Sequence, residues 1–124
     1  MIGSQRTTRV RSTTGRLERQ RRIRELNDQL RRFARSGVIC ITAGVQALGQ
    51  EGVEAALVGV RDFAGFNREN DPYDEHDLGG FKVGRDRLLF KIDYYDRDRR
   101  FGSPDPADPA VTTRVLTIML ASEY

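Results

Sequence analysis

A chain of 124 residues, 38% hydrophobic and 31% charged, has material for one compact domain with one core. Without tryptophan, and with negative mean hydropathy, that core must come from a few amphipathic elements. No apolar run approaches the roughly 18 residues a membrane helix needs, which argues against an integral membrane protein. The net charge of +3 hides two opposite parts. Residues 1–35 carry eleven arginines against Glu18, Glu25 and Asp28, a net +8, and the remainder carries a net −5. Nineteen of the 21 basic residues are arginine, the side chain suited to bidentate contact with phosphate or carboxylate. Either a polyanionic partner or docking of the basic segment onto the chain's own acidic part follows from that asymmetry.

The N-terminus has no apolar secretion-signal segment, and its Arg, Ser and Thr content only loosely resembles a transit peptide. The reading is a disordered basic arm over residues 1–15, followed by a single domain over residues 16–124. From Gly15 to about Ala34 the spacing of Ile23, Leu26, Leu30 and Phe33 predicts a helix with one narrow apolar stripe, stopped by Gly37. Val38–Thr42 is β-branched and predicts a short buried strand. It contains Cys40, the single cysteine, read as a buried structural thiol; no internal disulfide can form, which favours a reducing, cytoplasmic setting.

After a break at Gly49, a second helix is expected near Glu51, with Val53, Ala56, Leu57, Val60 and Phe63 forming its core face. Gly80–Val83, a turn at Gly84-Arg85-Asp86 and Arg87–Tyr95 read as a β-hairpin in which Phe90, Ile92 and Tyr94 face the core. The proline-bearing connection over residues 96–110 is expected to be stiff and extended. Thr112–Leu120 is the last strand. The fold class is therefore α+β: a single domain with two main helices packed on a small, largely antiparallel sheet.

Chemistry concentrates in Asn70-Asp-Pro-Tyr-Asp-Glu-His-Asp-Leu-Gly79, which holds the only histidine and four acidic residues. Carboxylates this close repel one another unless protons, arginines, backbone N–H groups or a metal offset the charge. Asp71, Tyr73, Asp74, Glu75, His76, Asp77, Asp93 and Asp96 are the candidate binding residues of this loop and the adjacent strand. His76, Asp77 and Asp93 are the candidate metal ligands among them, with Asp71, Asp74 and Glu75 as further donors of the mixed nitrogen and oxygen type that suits Mn, Zn or Mg. The bland alternative makes Asp71 and Asp74 turn caps and gives His76 a carboxylate partner. Arg19, Arg21, Arg22, Arg24, Arg31 and Arg32 are the candidate polyanion or partner contacts. No P-loop, HExxH, zinc-deaminase or common nuclease pattern is present, so the chain is read as leaning away from an enzyme and as needing no cofactor.

Ile41-Thr-Ala-Gly-Val-Gln-Ala-Leu48, the acidic loop, Lys91-Ile-Asp-Tyr-Tyr-Asp96, Ser103-Pro-Asp-Pro106 and Arg114-Val-Leu-Thr-Ile-Met-Leu120 together resemble an uncharacterised domain-of-unknown-function family common on bacterial plasmids and other mobile elements. The resemblance covers about residues 20–124 and departs from the family's usual loop at Asp74, where glycine is usual, and at Leu78, where phenylalanine is. It implies a mobile-element accessory protein and carries no known activity. The leading expectation is a non-enzymatic macromolecule-binding protein, an inhibitor of a host defence complex of the anti-CRISPR or anti-restriction type. Its partner would be a host protein or nucleoprotein complex, met through an acidic face built from the loop together with Asp93, Asp96, Asp98, Asp105 and Asp108. Nucleic-acid binding by the arginine-rich N-terminal region is the alternative, with Tyr94, Tyr95 and Phe101 available for stacking. A metal-dependent hydrolase or nuclease using the loop is a second alternative. A homodimer is also compatible with the charge asymmetry, and a membrane partner is not expected.

Overall fold

The structure, a computed structural model, describes the backbone of residues 2–124 and the side chains of residues 15–124. The expected arm over residues 1–15 lies outside the fully described residues, and the side chains of the first helix are defined from Gly15 onward.

Helix α1 (Ile2–Phe33) leads to strand β1 (Val38–Ile41), the single turn α2 (Ala43–Gln46) and helix α3 (Gly49–Asp62). Strands β2 (Leu78–Val83), β3 (Asp86–Tyr95) and β4 (Thr113–Leu120) follow. The four strands form one sheet in the order β1-β4-β3-β2. β2–β3 and β3–β4 are antiparallel, while β1 runs parallel to β4, so the sheet is mixed. No helix is long and apolar enough to cross a membrane among the described residues.

Register assigns the faces. Pairing of Phe90 with Ile118, Ile92 with Leu116 and Tyr94 with Arg114 places these residues, with Ile39 and Ile41, on the side that receives the helices. Leu30, Val45, Ala56, Val60, Leu88, Phe90, Ile92, Leu116 and Ile118 are the buried cluster there. Each large aliphatic or aromatic member contributes about 1.5–3 kcal/mol by leaving water. Gly79 is required by close packing: a Cβ at that position would come within 2.6 Å of the Phe63 and Phe90 rings, whose centroids lie 5.6 Å apart edge to face. Gly84, at φ 59°, takes the first loop position of the two-residue β2–β3 turn, where a type II′ hairpin needs glycine.

Several sequence expectations are corrected. α1 stops at Phe33, before Gly37, because Ala34 is left-handed (φ 55°) and its N–H bonds back to the Leu30 carbonyl at 3.0 Å, with Arg35 N–H reaching Gln29 at 3.3 Å. The buried stripe of α1 is Ile23, Leu26, Asn27, Leu30 and Arg31, whereas Phe33 is 63% exposed. Leu57 is also exposed, since Val53, Ala56 and Val60 alone line the inner side of α3. Cys40 is exposed: β1 is an edge strand, and Cys40 sits on the face opposite the helices. The 96–110 connection is folded into turns, because the carboxylates of Asp105 and Asp108 accept the N–H groups of Ala107 and Ala110 and a bridge joins Tyr95 to Gly102.

The contrast within one helix is testable. Leu30→Ala should cost about 2–5 kcal/mol, while Phe33→Ala should shift stability by no more than about 0.5 kcal/mol. Urea unfolding of the two variants, compared through midpoints and slopes, reads both values.

Candidate functional site

Residues 63–69 lead from the end of α3 to the acidic loop. Asn67 makes a turn in which its side-chain oxygen accepts from Glu69 and Asn70 N–H at 2.9 and 3.0 Å. Asp71, buried next to Pro72, then organises the following residues: its carboxylate accepts the N–H groups of Glu75 at 2.8 Å and His76 at 3.0 Å. Asp74 and His76 are both left-handed, at φ 56° and 59°. A non-glycine residue in that region costs about 1–2 kcal/mol, so the buried Asp71 carboxylate holds a shape the chain would otherwise leave.

α1 grips this loop with one stripe of polar side chains at positions 24, 27, 28 and 31, neighbours on a helix surface. Arg24 donates to the Asp74 carboxylate at 2.6 Å and to its carbonyl at 3.1 Å. Asn27 Nδ2 donates to the Glu75 carbonyl at 2.9 Å. Asp28 Oδ1 meets His76 Nδ1 at 2.9 Å and Arg31 Nη2 at 2.8 Å. A carboxylate can only accept, so Nδ1 carries the imidazole proton. Burial works against the Asp28 charge, but the hydrogen bonds from Arg31 and His76 outweigh it and hold this carboxyl below the usual range. The His76 ring stacks on Phe66 at 4.0 Å and 3°.

Arg31 also donates to the Val60 and Phe63 carbonyls at 2.8 and 3.1 Å, satisfying the C-terminal end of α3. Its side chain is 0% exposed.

A second network joins α1 to the sheet. Arg114 Nε donates to Asn27 Oδ1 at 2.7 Å, Asn27 Nδ2 also donates to Tyr94 Oη at 2.8 Å, and Tyr94 Oη donates to Glu75 Oε1 at 2.8 Å. Arg114 Nη2 donates to the Pro106 carbonyl, and the guanidinium lies 5.1 Å from the Tyr94 ring centroid. Burial pulls the Arg114 pKa down and pushes the Tyr94 pKa up. Arg114 remains a cation in this protein, and Glu75, reached through Tyr94 and Asn27, is the acid its network leads to.

The expected site residues therefore separate. Asp71, Asp74 and His76 come together, with one ligand atom from each lying within 4.8 Å of the others. His76, Asp77 and Asp93, expected as metal ligands, form no such group among the described residues. Asp93 shares the far face of the sheet with Lys91, its ion-pair partner at 3.0 Å, whereas His76 turns toward Asp28 on α1. Asp77 is half-buried beside Glu75, Asp71 and Asp93; burial first, then the Glu75 charge, pushes its carboxyl up to about 6. Asp96 caps a turn by accepting Arg100 N–H at 3.0 Å, and Tyr73 is exposed. Tyr94 is partly buried and faces the core, as the alternation of β3 predicts.

Of the six candidate arginines, Arg31 is interior and cannot meet a partner. Arg24 is engaged with Asp74, and Arg19 pairs with Asp105 at 2.8 Å. Arg21, Arg22 and Arg32 stay exposed, the first two only loosely paired with Glu25 at 3.9 and 3.6 Å. The acidic face is correspondingly broken up, since Asp71, Asp74, Asp93 and Asp105 all have partners in the chain.

Beside His76 lies a cleft of about 470 Å³ whose lining includes Phe66, Arg32, Arg68, Asp71 and Asp74. Ser, Thr, Cys and Lys are not among the residues that line it. His76 Nε2 lies 3.5 Å from Asp74 Oδ1. Sequence reasoning misses Asn27, Asp28, Phe66 and Arg114. The available signal for Arg114 is its alternation with Leu116, Ile118 and Leu120, and for Asn27 its position beside Leu26 and Leu30 on the inward side of the helix.

A family model described as a protein of unknown function, DUF3768, matches residues 41–123, about two thirds of the chain. The chain belongs to this family. No curated protein and no solved structure matches. The DUF3768 region takes in the loop and the strands β2–β4 but leaves out α1, so the match is shorter at its start than residues 20–124. Arg24, Asn27, Asp28 and Arg31, which hold the DUF3768 loop, all lie outside the matched stretch.

These pairings make two outcomes measurable. Asp77 has a raised pKa in the folded chain, so its contribution to stability is fully present below the ordinary carboxylate value near 3.8 and is lost as pH rises through about 6. Asp77→Asn should therefore raise the melting temperature by a few degrees at pH 7.5 and leave it unchanged near pH 4, read by thermal unfolding across pH. Mn, Zn or Mg should give no melting shift, since each Asp71 oxygen accepts a backbone N–H and the Arg24 guanidinium on the Asp74 carboxylate repels a second cation. A shift abolished by His76→Ala would instead establish a metal centre at Asp71, Asp74 and His76.

Proposed function

We propose that this protein is a non-enzymatic binding module, an accessory protein of a mobile element that acts on a host defence nucleoprotein complex through the outer face of α1. The observation that carries this reading is the fate of the charges. The Asp71 and Asp74 carboxylates and the His76 imidazole are engaged with α1 and with the loop's own backbone, while Arg21, Arg22 and Arg32 remain exposed on the side of α1 away from its buried stripe. Arginine forks on a helix suit the phosphates of a bound RNA or DNA. Under this proposal the inhibitor reading and the nucleic-acid reading share one surface, away from the acidic face. The mobile-element setting comes from the string Asn70–Gly79 and from the other segments that resemble the plasmid-borne family.

The test is affinity capture of tagged protein from a bacterial lysate, with and without nuclease, alongside a variant carrying Arg21→Gln and Arg22→Gln. The expected result is a defined nucleoprotein complex, lost or weakened about tenfold or more in the variant and in high salt. Nucleic acid without a stoichiometric protein would replace the defence-complex reading with general nucleic-acid binding. Equal capture by the variant would remove α1 from the interface.

A further inference from the structure

At the C-terminal end of α1, just past Arg31, three large apolar side chains of α1 and α3 stay in water together. Phe33 is 63% exposed, Leu57 37% and Val58 44%. With half-buried Ile39 of β1 they line a notch of about 240 Å³, bordered by Arg32 and Arg61. Scattered exposed apolar residues are ordinary, but a contiguous group with a charged rim marks a contact surface. The local structure explains why none of the described side chains fills it. The left-handed Ala34 ends α1 directly after Phe33, and α3 turns Val53, Ala56 and Val60 inward, which leaves Leu57 and Val58 outward. β1 adds an edge strand whose only pairing is with β4.

The rim is cationic. Arg61 is paired with Asp62 at 3.0 Å, while Arg32 and Arg35 make no ion pair among the described residues; Arg35 lies 5.6 Å from the Phe33 ring centroid. A ligand that covers the apolar floor must bring negative charge to these arginines, and a basic one would be repelled.

We propose that this notch docks an acidic segment of a partner protein, one that inserts an aromatic or branched aliphatic side chain between Phe33, Leu57 and Val58 and sets flanking carboxylates against Arg32 and Arg35. The surface is distinct from the arginines of the α1 outer face except for Arg32, and it goes beyond the nucleoprotein reading by assigning a protein contact.

The probe is an acetylated, amidated hexapeptide with Phe-Leu flanked by two acidic residues on each side, titrated into isotopically labelled protein and followed by amide chemical shifts. Shifts should localise to residues 32–40 and 54–62. They should be lost when lysines replace the acids, and when Gly-Ser replaces Phe-Leu. Val58→Glu, at an exposed position that leaves the core untouched, should weaken binding about tenfold or more. Shifts elsewhere, equal binding of the lysine peptide, or unchanged affinity in Val58→Glu would overturn the proposal. So would concentration-dependent dimerisation of the free chain dispersed by Val58→Glu, which would assign the notch to a second copy. Capture of a nucleoprotein complex through Arg21 and Arg22 is read separately, so either result can fail without the other.

Discussion

A buried guanidinium dictates how this protein is assembled. Arg114 stands on β4, an interior strand of the sheet, 1% exposed, on the face that α1 covers. An unpaired charge in such a place would cost several kcal/mol, and Asn27 of α1 is the side chain that meets it. Asn27 gives its oxygen to Arg114 and its amide protons to Tyr94 and the Glu75 carbonyl. One amide therefore ties the helix to the sheet and to the loop, and few helix positions could satisfy all three at once. The polar seam does the orienting that a narrow aliphatic stripe could not do alone, because Ile23, Leu26 and Leu30 would tolerate small slides along the sheet.

The loop inherits its rigidity from the same helix. Repulsion among its carboxylates is met at Asp74 by the Arg24 guanidinium and at Asp71 by two backbone N–H groups, one on each oxygen. The DUF3768 stretch contains the loop but none of the α1 residues that hold it. A stretch of this chain beginning at Ile41 would leave Arg114 and Tyr94 facing solvent or each other, so the structural unit is larger than the recognised sequence unit.

Legibility in the sequence tracks the strength of periodicity. The β2–β3 hairpin, α3 and β4 appear with nearly the expected bounds because alternation and helical spacing are local signals. The inward polar residues escape such a reading, because arginine and asparagine are ordinarily surface residues. Composition alone groups Arg31 with Arg21 and Arg22, although it stands four residues past Asn27 and one past Leu30 on the inner side. The apolar neighbours of Cys40 suggest an interior thiol, but placing it requires knowing that β1 is at an edge, which is a property of strand order. Asp71 is readable as a turn residue. That it anchors both Glu75 and His76 depends on two left-handed residues that no pattern announces.

The parallel pairing of β1 with β4 has a kinetic side. The hairpin and both long helices are assembled from near neighbours, whereas the sheet is completed only when a strand from the first third of the chain meets one close to its end. Closing so long a loop is entropically slow relative to local steps. Until it closes, Ile39 and Ile41 have no cover, and the Arg114 side chain lacks its helix partner. The topology thus makes the docking of β1 the longest-range pairing in the sheet, and it is this pairing that covers Ile39 and Ile41.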